Sequence, residues 1–297
     1  MLPALHRAIA ARASIRAANT DALRLVDGAG DGIDGIEIDD FAGRWLVQTR
    51  DSSFPAWLRG LPGPTAIYWK QLAEQKPPPA HVEGDQITEP FVAIENGMRL
   101  LIDFTAGYSQ GIFLDQRDNR AETRKRSAPG LRILNCFAYT CAFGLAAALA
   151  GAETVNLDLS RRYLDWGRRN YQLNGLDPTR HEFIYGDVAN WLDRFARKSR
   201  KFDLIILDPP TFSRDKDGKV FTVENDFPAL VRASAALLTP SGALFCSTNQ
   251  RTLYPDTFRR LVNAGLPIPA AWRVTPRPMP PDFTGDPYLK ALWIDPR

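Results

Sequence analysis

The sequence is poor in the residues that build disulfides and metal centres. Of 297 residues, three are cysteine and three are histidine. Cys136, Cys141 and Cys246 cannot all pair, and two of them sit inside apolar stretches that read as core, which argues against a disulfide framework. A metal centre is not expected either: Cys136 and Cys141 lack a second pair, and His6, His81 and His181 are scattered. Long apolar runs are missing too. None approaches the roughly 20 residues that span a bilayer, and the N-terminal "MLPALHRAIAARASIRAANTDA" alternates Ala, Arg and Leu where a signal peptide would carry an apolar core. The cytoplasm is therefore the expected compartment. An excess of either charge is small as well, with 37 Lys and Arg against 34 Asp and Glu. A net charge of +3 permits an anionic partner without demanding one, and a dedicated RNA-binding domain would be more basic. There are no internal repeats and no low-complexity tract.

What is present is a chain long enough, at 44% hydrophobic and 24% charged, to bury a large core as one main domain with a smaller one. The first hundred residues read as a small α+β domain, residues 1–104. "ALRLVDGAGDGIDGIEIDDF" carries two short alternating strands around a Gly-Asp loop, "RWLVQTR" and "AIYWK" read as further strands, and "SSFPAWLRG" reads as a short helix. "AEQKPPPAHVEGDQ" reads as a surface loop or linker. "FVAIENGMRLLIDF" is a hairpin turning at Asn96 and Gly97, which accept the positive φ of a type I′ turn.

The period changes in the second expected domain, residues 105–297. A charged helix in "DQRDNRAETRKRS" precedes short apolar strands alternating with helices, from "RILNCF" through "FDLIILDPP" to "GALFCST". This alternation predicts a mostly parallel sheet with helices on both faces. In such a sheet ligands lie across the carboxyl ends of the strands. The residues there are Asn135–Cys141, Asp158–Ser160, Asp187 with Val188, and Asp208–Phe212. Asp158 suits the two hydroxyls of a ribose, with a helix cap near Ser160 as the plainer alternative. Asp187 suits an exocyclic adenine amine or a cap. "FDLIILDPPTFS" is the most specific signal: an apolar strand delivers Asp208 onto Pro209 and Pro210, whose fixed φ and missing N–H groups hold a rigid loop open.

These segments resemble the class I S-adenosylmethionine (SAM) methyltransferases, and among them the bacterial large-subunit (23S) ribosomal RNA methyltransferases of the I and K/L types. The resemblance spans Thr20 to Thr252 and rests on "GYSQGIFLDQRDNR", "LNCFAYTCAFGLAAALAGAETVNLDLSRRYLDWGRRNYQLNGL", "GDVANWL" and "FDLIILDPPTFS", with a weaker match at "DFTGDPYLKALWI". It implies a Rossmann-like catalytic domain and SAM as cofactor, with Asp158 at the ribose, Ser160 among the cofactor-binding residues, and Asp187 and Val188 at the adenine. By the same likeness Asn135, Phe137 and Tyr139 lie on the methionine side, Gln110, Phe113, Asp115 and Arg117 cover the cofactor, and Asp208, Pro209, Pro210 and Phe212 meet the acceptor.

The chain also departs from the family. Where relatives read Phe-Ser-Tyr-Thr-Gly, this loop reads "FAYTC", so Cys141 is expected to place a thiol beside the cofactor path and to shape the pocket of the methionine tail. Fewer than 25 residues precede "TDALRLVDGAGDG", so the extra RNA-binding modules of the I and K/L types are expected to be absent. Cys246 falls near a cysteine of the I type, where a thiolate attacks carbon 6 of cytosine. A core role is the reading preferred here, and "TNQR" is closer to the K/L type, which alkylates a guanine nitrogen without a protein nucleophile. Methylation of an RNA base is the first functional expectation. A small-molecule SAM enzyme is the alternative, either a methyltransferase or a cyclase that forms azetidine-2-carboxylate and methylthioadenosine. SAM binding without turnover is a third reading, and the intact Asp-Pro-Pro loop argues against it. No membrane partner is expected, and a homodimer is left open.

Overall fold

The computed structural model describes residues 1–72, 78–107, 109–214 and 220–297. It forms two compact units, Met1–Arg117 with Met279–Pro287, and Asp118–Pro278 with Tyr288–Arg297. These bounds differ from the division at residues 104 and 105. The segment up to Arg117 lies with the first unit, and so does a short stretch from near the end of the chain, because Arg117 and Asp282 are ion-paired inside it.

The first unit opens with α1 (Leu2–Ala11) and α2 (Ala13–Ala17) and continues into a five-stranded sheet in chain order: β1 (Ala22–Asp27), β2 (Ile36–Phe41), β3 (Arg44–Thr49), β4 (Ala66–Gln71) and β5 (Ala80–Gly84). Only β3 and β4 run parallel. Leu23, Leu25, Ile38 and Val47 pack with Leu5 of α1 into its core. The helix expected in "SSFPAWLRG" is a single 3-10 turn at Ala56–Leu58. Of the expected loop "AEQKPPPAHVEGDQ", residues 73–77 lie outside the described residues, while Ala80–Gly84 pairs with β4 as an edge strand. Its side chains are half-buried at most, so no apolar alternation announced it. The hairpin of β6 (Phe91–Glu95) and β7 (Met98–Ile102) turns as predicted, with φ of 48° at Asn96 and 75° at Gly97.

This unit buries an unusual amount of charge. Arg24 reaches Asp39 at 2.6 Å, Asp27 at 2.7 Å and Glu37 at 2.8 Å, and Arg12 forks onto Asp31 with two bonds of 2.7 Å. Asp282 receives both ends of the Arg117 guanidinium at 2.6 and 2.8 Å and the backbone N–H of Arg24 at 3.0 Å. Its own carbonyl accepts from Arg12. Buried ions persist only when paired and hydrogen-bonded in this way.

The second unit is built on one seven-stranded sheet. In chain order its elements are α3 (Arg117–Lys125, all but its first residue), β8 (Arg132–Cys136), α4 (Ala142–Leu149), β9 (Glu153–Asp158), α5 (Arg161–Leu173), β10 (Glu182–Tyr185), α6 (Val188–Arg197), β11 (Phe202–Leu207), the small hairpin β12 (Phe212–Arg214) and β13 (Val220–Thr222), α7 (Val223–Ala235), β14 (Leu238–Thr248), α8 (Pro255–Gly265), β15 (Trp272–Arg277) and β16 (Lys290–Pro296). The sheet order is β10-β9-β8-β11-β14-β16-β15. Its first five strands are parallel, and β16 is antiparallel to both its neighbours. Alternate residues of β8 and β11 enter opposite cores, as the two-residue repeat of a strand requires. Leu134, Cys136, Ile205 and Leu207 pack with Phe195, Phe227 and Phe258 of α6, α7 and α8, whereas Ile133, Leu204 and Ile206 pack with Phe143 and Ala147 of α4. A strand covered on both faces reads as a continuous apolar run, which is why "FDLIIL" was legible.

Candidate active site

The carboxyl ends of β8, β9, β10 and β11 bring the loops singled out in the sequence to one edge of the sheet. After β8 the backbone alternates hand: Phe137, Tyr139 and Cys141 have φ of 58°, 49° and 64°. The left-handed region costs a residue with a Cβ on the order of 1 kcal/mol, so three such residues persist only because the loop is held by its surroundings. The holding bonds are Ala138 N–H to the carbonyl of Leu157 at 3.0 Å, Cys141 N–H to the carbonyl of Ala138 at 2.7 Å, and Tyr139 N–H to Oδ2 of Asp158 at 2.8 Å.

Cys141 corrects an expectation. Its side chain is fully buried and turned into the protein against α5, where a Cβ built on Gly167 would lie 2.3 Å from the sulfur. The missing glycine in the loop is thus matched by a glycine in the facing helix. Burial, together with the Asp158 carboxylate, pushes this thiol well above its usual pKa. Asn135 is also turned inward. Its amide donates to Oδ1 of Asn156 at 3.0 Å, Asn156 donates to the Tyr171 hydroxyl at 3.1 Å, and that hydroxyl lies 2.8 Å from Oγ1 of Thr154. Asn135 ties β8 to β9 beneath the loop, and this chain is a fully bonded buried network.

Asp158 ends β9 with both carboxylate oxygens anchored by backbone donors, Oδ2 by Tyr139 and Oδ1 by Ser160 at 2.8 Å. Burial outweighs these donors and raises its pKa. The cap is Ser160, whose Oγ accepts from Tyr163 N–H at the start of α5. The rings of Tyr163 and Tyr139 meet edge to face, with centroids 4.5 Å apart. Asp187 caps α6 through Oδ1, which accepts from Asn190 N–H at 2.9 Å, and Val188 is buried behind it.

At the end of β11, Asp208 is fixed by a bond from the Ser247 hydroxyl of β14, 2.7 Å to Oδ1. Pro209 is buried and Pro210 exposed. Phe212 opens β12, and its side chain lies outside the described residues. Ser247 escaped the sequence reading, although the parallel pairing of Leu207 with Cys246 brings it beside Asp208. Cys246 itself points into the core shared with α6–α8, fully buried, with burial raising its pKa.

The other expected cofactor residues belong to the first unit. Gln110 accepts from Lys70 and donates to the carbonyl of Gly107, Asp115 is buried, Phe113 is 43% exposed, and Arg117, 3% exposed, is committed to Asp282. Among the described residues, no group of three or more His, Cys, Asp or Glu side chains could hold a metal ion, and no helix is long and apolar enough to cross a membrane.

A twisted, mostly parallel sheet with an anchored carboxylate after its second strand and a strand–Asp-Pro-Pro loop after its fourth defines a Rossmann-like transferase. The family model described as S-adenosylmethionine-dependent methyltransferase matches residues 77–293, and this chain belongs to that family. It uses SAM as methyl donor. The chain is 35% identical over 279 residues to a candidate ribosomal RNA large subunit methyltransferase, YwbD, of Bacillus subtilis (strain 168), covering 89% of this chain and 70% of that protein. It is 32% identical over 234 residues to ribosomal RNA large subunit methyltransferase K of Neisseria meningitidis, covering 75% of this chain and 65% of that one. Among solved structures it resembles SMU.776, a candidate methyltransferase in complex with SAH, with a TM-score of 0.88, 29% identity, and coverage of 99% of this chain and 80% of the other.

Proposed function

We propose that this protein transfers the methyl group of SAM to a nitrogen of a ribosomal RNA base. The carrying observation is the Asp208-Pro209-Pro210 loop with its carboxylate fixed by Ser247, taken with relatives named as ribosomal RNA methyltransferases. The second unit fits SAM on its own residues. A carboxylate has about four acceptor positions, so Asp158 retains capacity for a ribose hydroxyl beyond its backbone bonds from Tyr139, Ser160 and Leu159. Asp187 and Val188 suit the adenine, with Asp187 keeping its second oxygen beyond the cap, and the loop Phe137–Cys141 suits the methionine portion.

When bound, SAM supplies a methyl already activated by its sulfonium, so the protein's task is mainly positioning. Asp208 and the Pro209 carbonyl accept from the N–H groups of the base edge and aim the nitrogen. Cys246 lies inside the core, which favours a nitrogen over cytosine carbon 5, whose methylation needs an accessible thiolate. The small-molecule alternative drew on Cys141, and that thiol packs on Gly167. A ribosomal RNA substrate accords with the cytoplasm as the site of action.

The test is incubation of the purified protein with SAM alone and with protein-free ribosomal RNA, followed by mass spectrometry of the by-products and the RNA. S-adenosylhomocysteine formed only when RNA is present, with one methylated base, is expected. Methylthioadenosine from SAM alone, or no turnover on any ribosomal RNA, would overturn the proposal.

A further inference from the structure

Beyond the loops already described, the carboxyl end of β14 carries two cations that form no ion pair among the described residues. Lys290 starts β16 opposite Thr248 and is only 7% exposed. Its ammonium donates to the carbonyls of Gln250 and Tyr288, which uses two of its three N–H donors. Arg251, the next residue after Gln250, is exposed and lies over the ring of Tyr288, its guanidinium carbon 4.3 Å from the ring centroid. The two cations stand close enough for Arg251 to help burial lower the Lys290 pKa.

This arrangement has a direction. A long side chain stacked on an aromatic ring has already lost much of its rotamer freedom, and its N–H fork stays open for a planar or tetrahedral anion. Lys290 stiffens the same spot from behind, because it pins the carbonyl of the residue that precedes Arg251. Two neighbouring positive charges repel each other, and an anion relieves that repulsion; the Glu224 carboxylate beside this loop accepts from the Gln250 amide. The place also matters. Ser247, which fixes Asp208, is four residues before Arg251, and four residues of extended chain reach at most about 14 Å. An anion held here would stand within a few nucleotides of a base at the Asp208 loop.

Resting on the RNA reading above, we propose that Arg251 and Lys290 form a phosphate site that grips the backbone of the acceptor RNA strand beside the methylation loop. Arg251 makes the direct contact and Lys290 holds the loop that carries it. Such contacts position a nucleic acid without reading its sequence, so the site sets how the strand lies and leaves the choice of base to the loop after β11.

The experiment measures binding of a single-stranded RNA 20-mer and of protein-free ribosomal RNA across a salt series, for the wild type, Arg251→Ala and Arg251→Lys. Each phosphate contact on a single strand contributes about 0.7 to the slope of log K against log salt. Arg251→Ala should therefore flatten the slope by about 0.7 and weaken binding about tenfold near 0.1 M salt, whereas Arg251→Lys should keep most of the slope. SAM affinity should be unchanged in both, since among the described residues Arg251 bonds to none of the SAM loops, and the melting temperature of Arg251→Ala should fall only slightly, by the loss of the Tyr288 stacking. If Arg251→Ala binds and methylates RNA like the wild type with the same slope, the phosphate site is wrong and the RNA reading stands. If the wild type neither binds nor methylates ribosomal RNA, the RNA reading fails and the site fails with it.

Discussion

Cys141 and Gly167 offer the sharpest test of how the first loop is built. Changing Cys141 to Gly removes a left-handed residue with a Cβ, which gains on the order of 1 kcal/mol, and empties a buried side chain, which loses about 1–2 kcal/mol. The two nearly cancel. Gly167→Ala gains about 1 kcal/mol of helix propensity, but its new Cβ would lie 2.3 Å from the Cys141 sulfur and 2.8 Å from its Cβ. That overlap must be relieved by moving the loop, at about 1–3 kcal/mol. With Cys141 already reduced to glycine, the nearest remaining atom is the carbonyl oxygen of Thr140 at 3.3 Å, so the alanine should then be tolerated. Urea unfolding of the four proteins should give a coupling of about 2 kcal/mol, the double variant being more stable than Gly167→Ala alone. SAM affinity of Cys141→Gly, measured by calorimetry, should stay within about twofold of wild type, because the thiol is turned toward α5. Additivity within about 0.5 kcal/mol, or a large change in SAM affinity without coupling, would show that the side chain faces the ligand.

Asp158→Ala should weaken SAM binding at least about tenfold, since each hydrogen bond to a charged acceptor is worth about 1.5–3 kcal/mol; unchanged affinity in calorimetry refutes the ribose assignment. Because burial raises the Asp158 pKa above the ordinary 3.8 and the ionised form is the better acceptor, SAM affinity should hold at neutral pH and fall as pH drops through a midpoint above 3.8; a midpoint at or below that value counts against it. Cys246→Ala should retain most methyl transfer to RNA at a stability cost of about 1 kcal/mol, and abolished turnover in a folded variant would restore the thiol as nucleophile. Asp282→Ala leaves Arg117 buried without its carboxylate and should destabilise the first unit by about 3–5 kcal/mol, seen as an earlier urea transition; a variant as stable as wild type would mean the pair does not hold that unit together.

The fold was legible where local pattern and tertiary environment agree. β11 is apolar on both faces because helices cover both, whereas β9 is apolar on the side of Val155 and Leu157 and carries the bonded Thr154 and Asn156 on the other. Agreement fails at the edges. β5 is an outer strand with mostly exposed side chains, so the two-residue period that marks a half-buried strand is absent there, and β15 at the other edge keeps it only at Trp272 and Val274. The sequence of α3 predicts a charged helix, and a charged helix implies a solvated one. Yet Arg117 and Arg120 are buried, one on Asp282 and the other over the ring of Phe143. Burial of charge depends on partners 165 and 23 residues away, and no window of sequence holds both members of such pairs.

The site divides along the same line. Asp158, Asp187 and Asp208 could be found because a strand end followed by an acidic residue is a local signal. What two of these carboxylates do depends also on donors distant in sequence: Tyr139 on Asp158 and Ser247 on Asp208. Ser247 sits next to Cys246, and in a strand neighbouring residues face opposite sides. A reading that fixes on the cysteine as the reactive group overlooks the serine, and a one-residue error in register exchanges their roles. The pairing of Leu207 with Cys246 decides the matter, since it sends the thiol into the core under α6–α8 and leaves the hydroxyl to orient Asp208. The same parity carries forward to the loop after β14, where Lys290 pairs with Thr248, on the core side with Cys246, and closes its ammonium over the carbonyl of Gln250. The placement of Arg251 therefore follows from the strand register as much as from the basic residue itself.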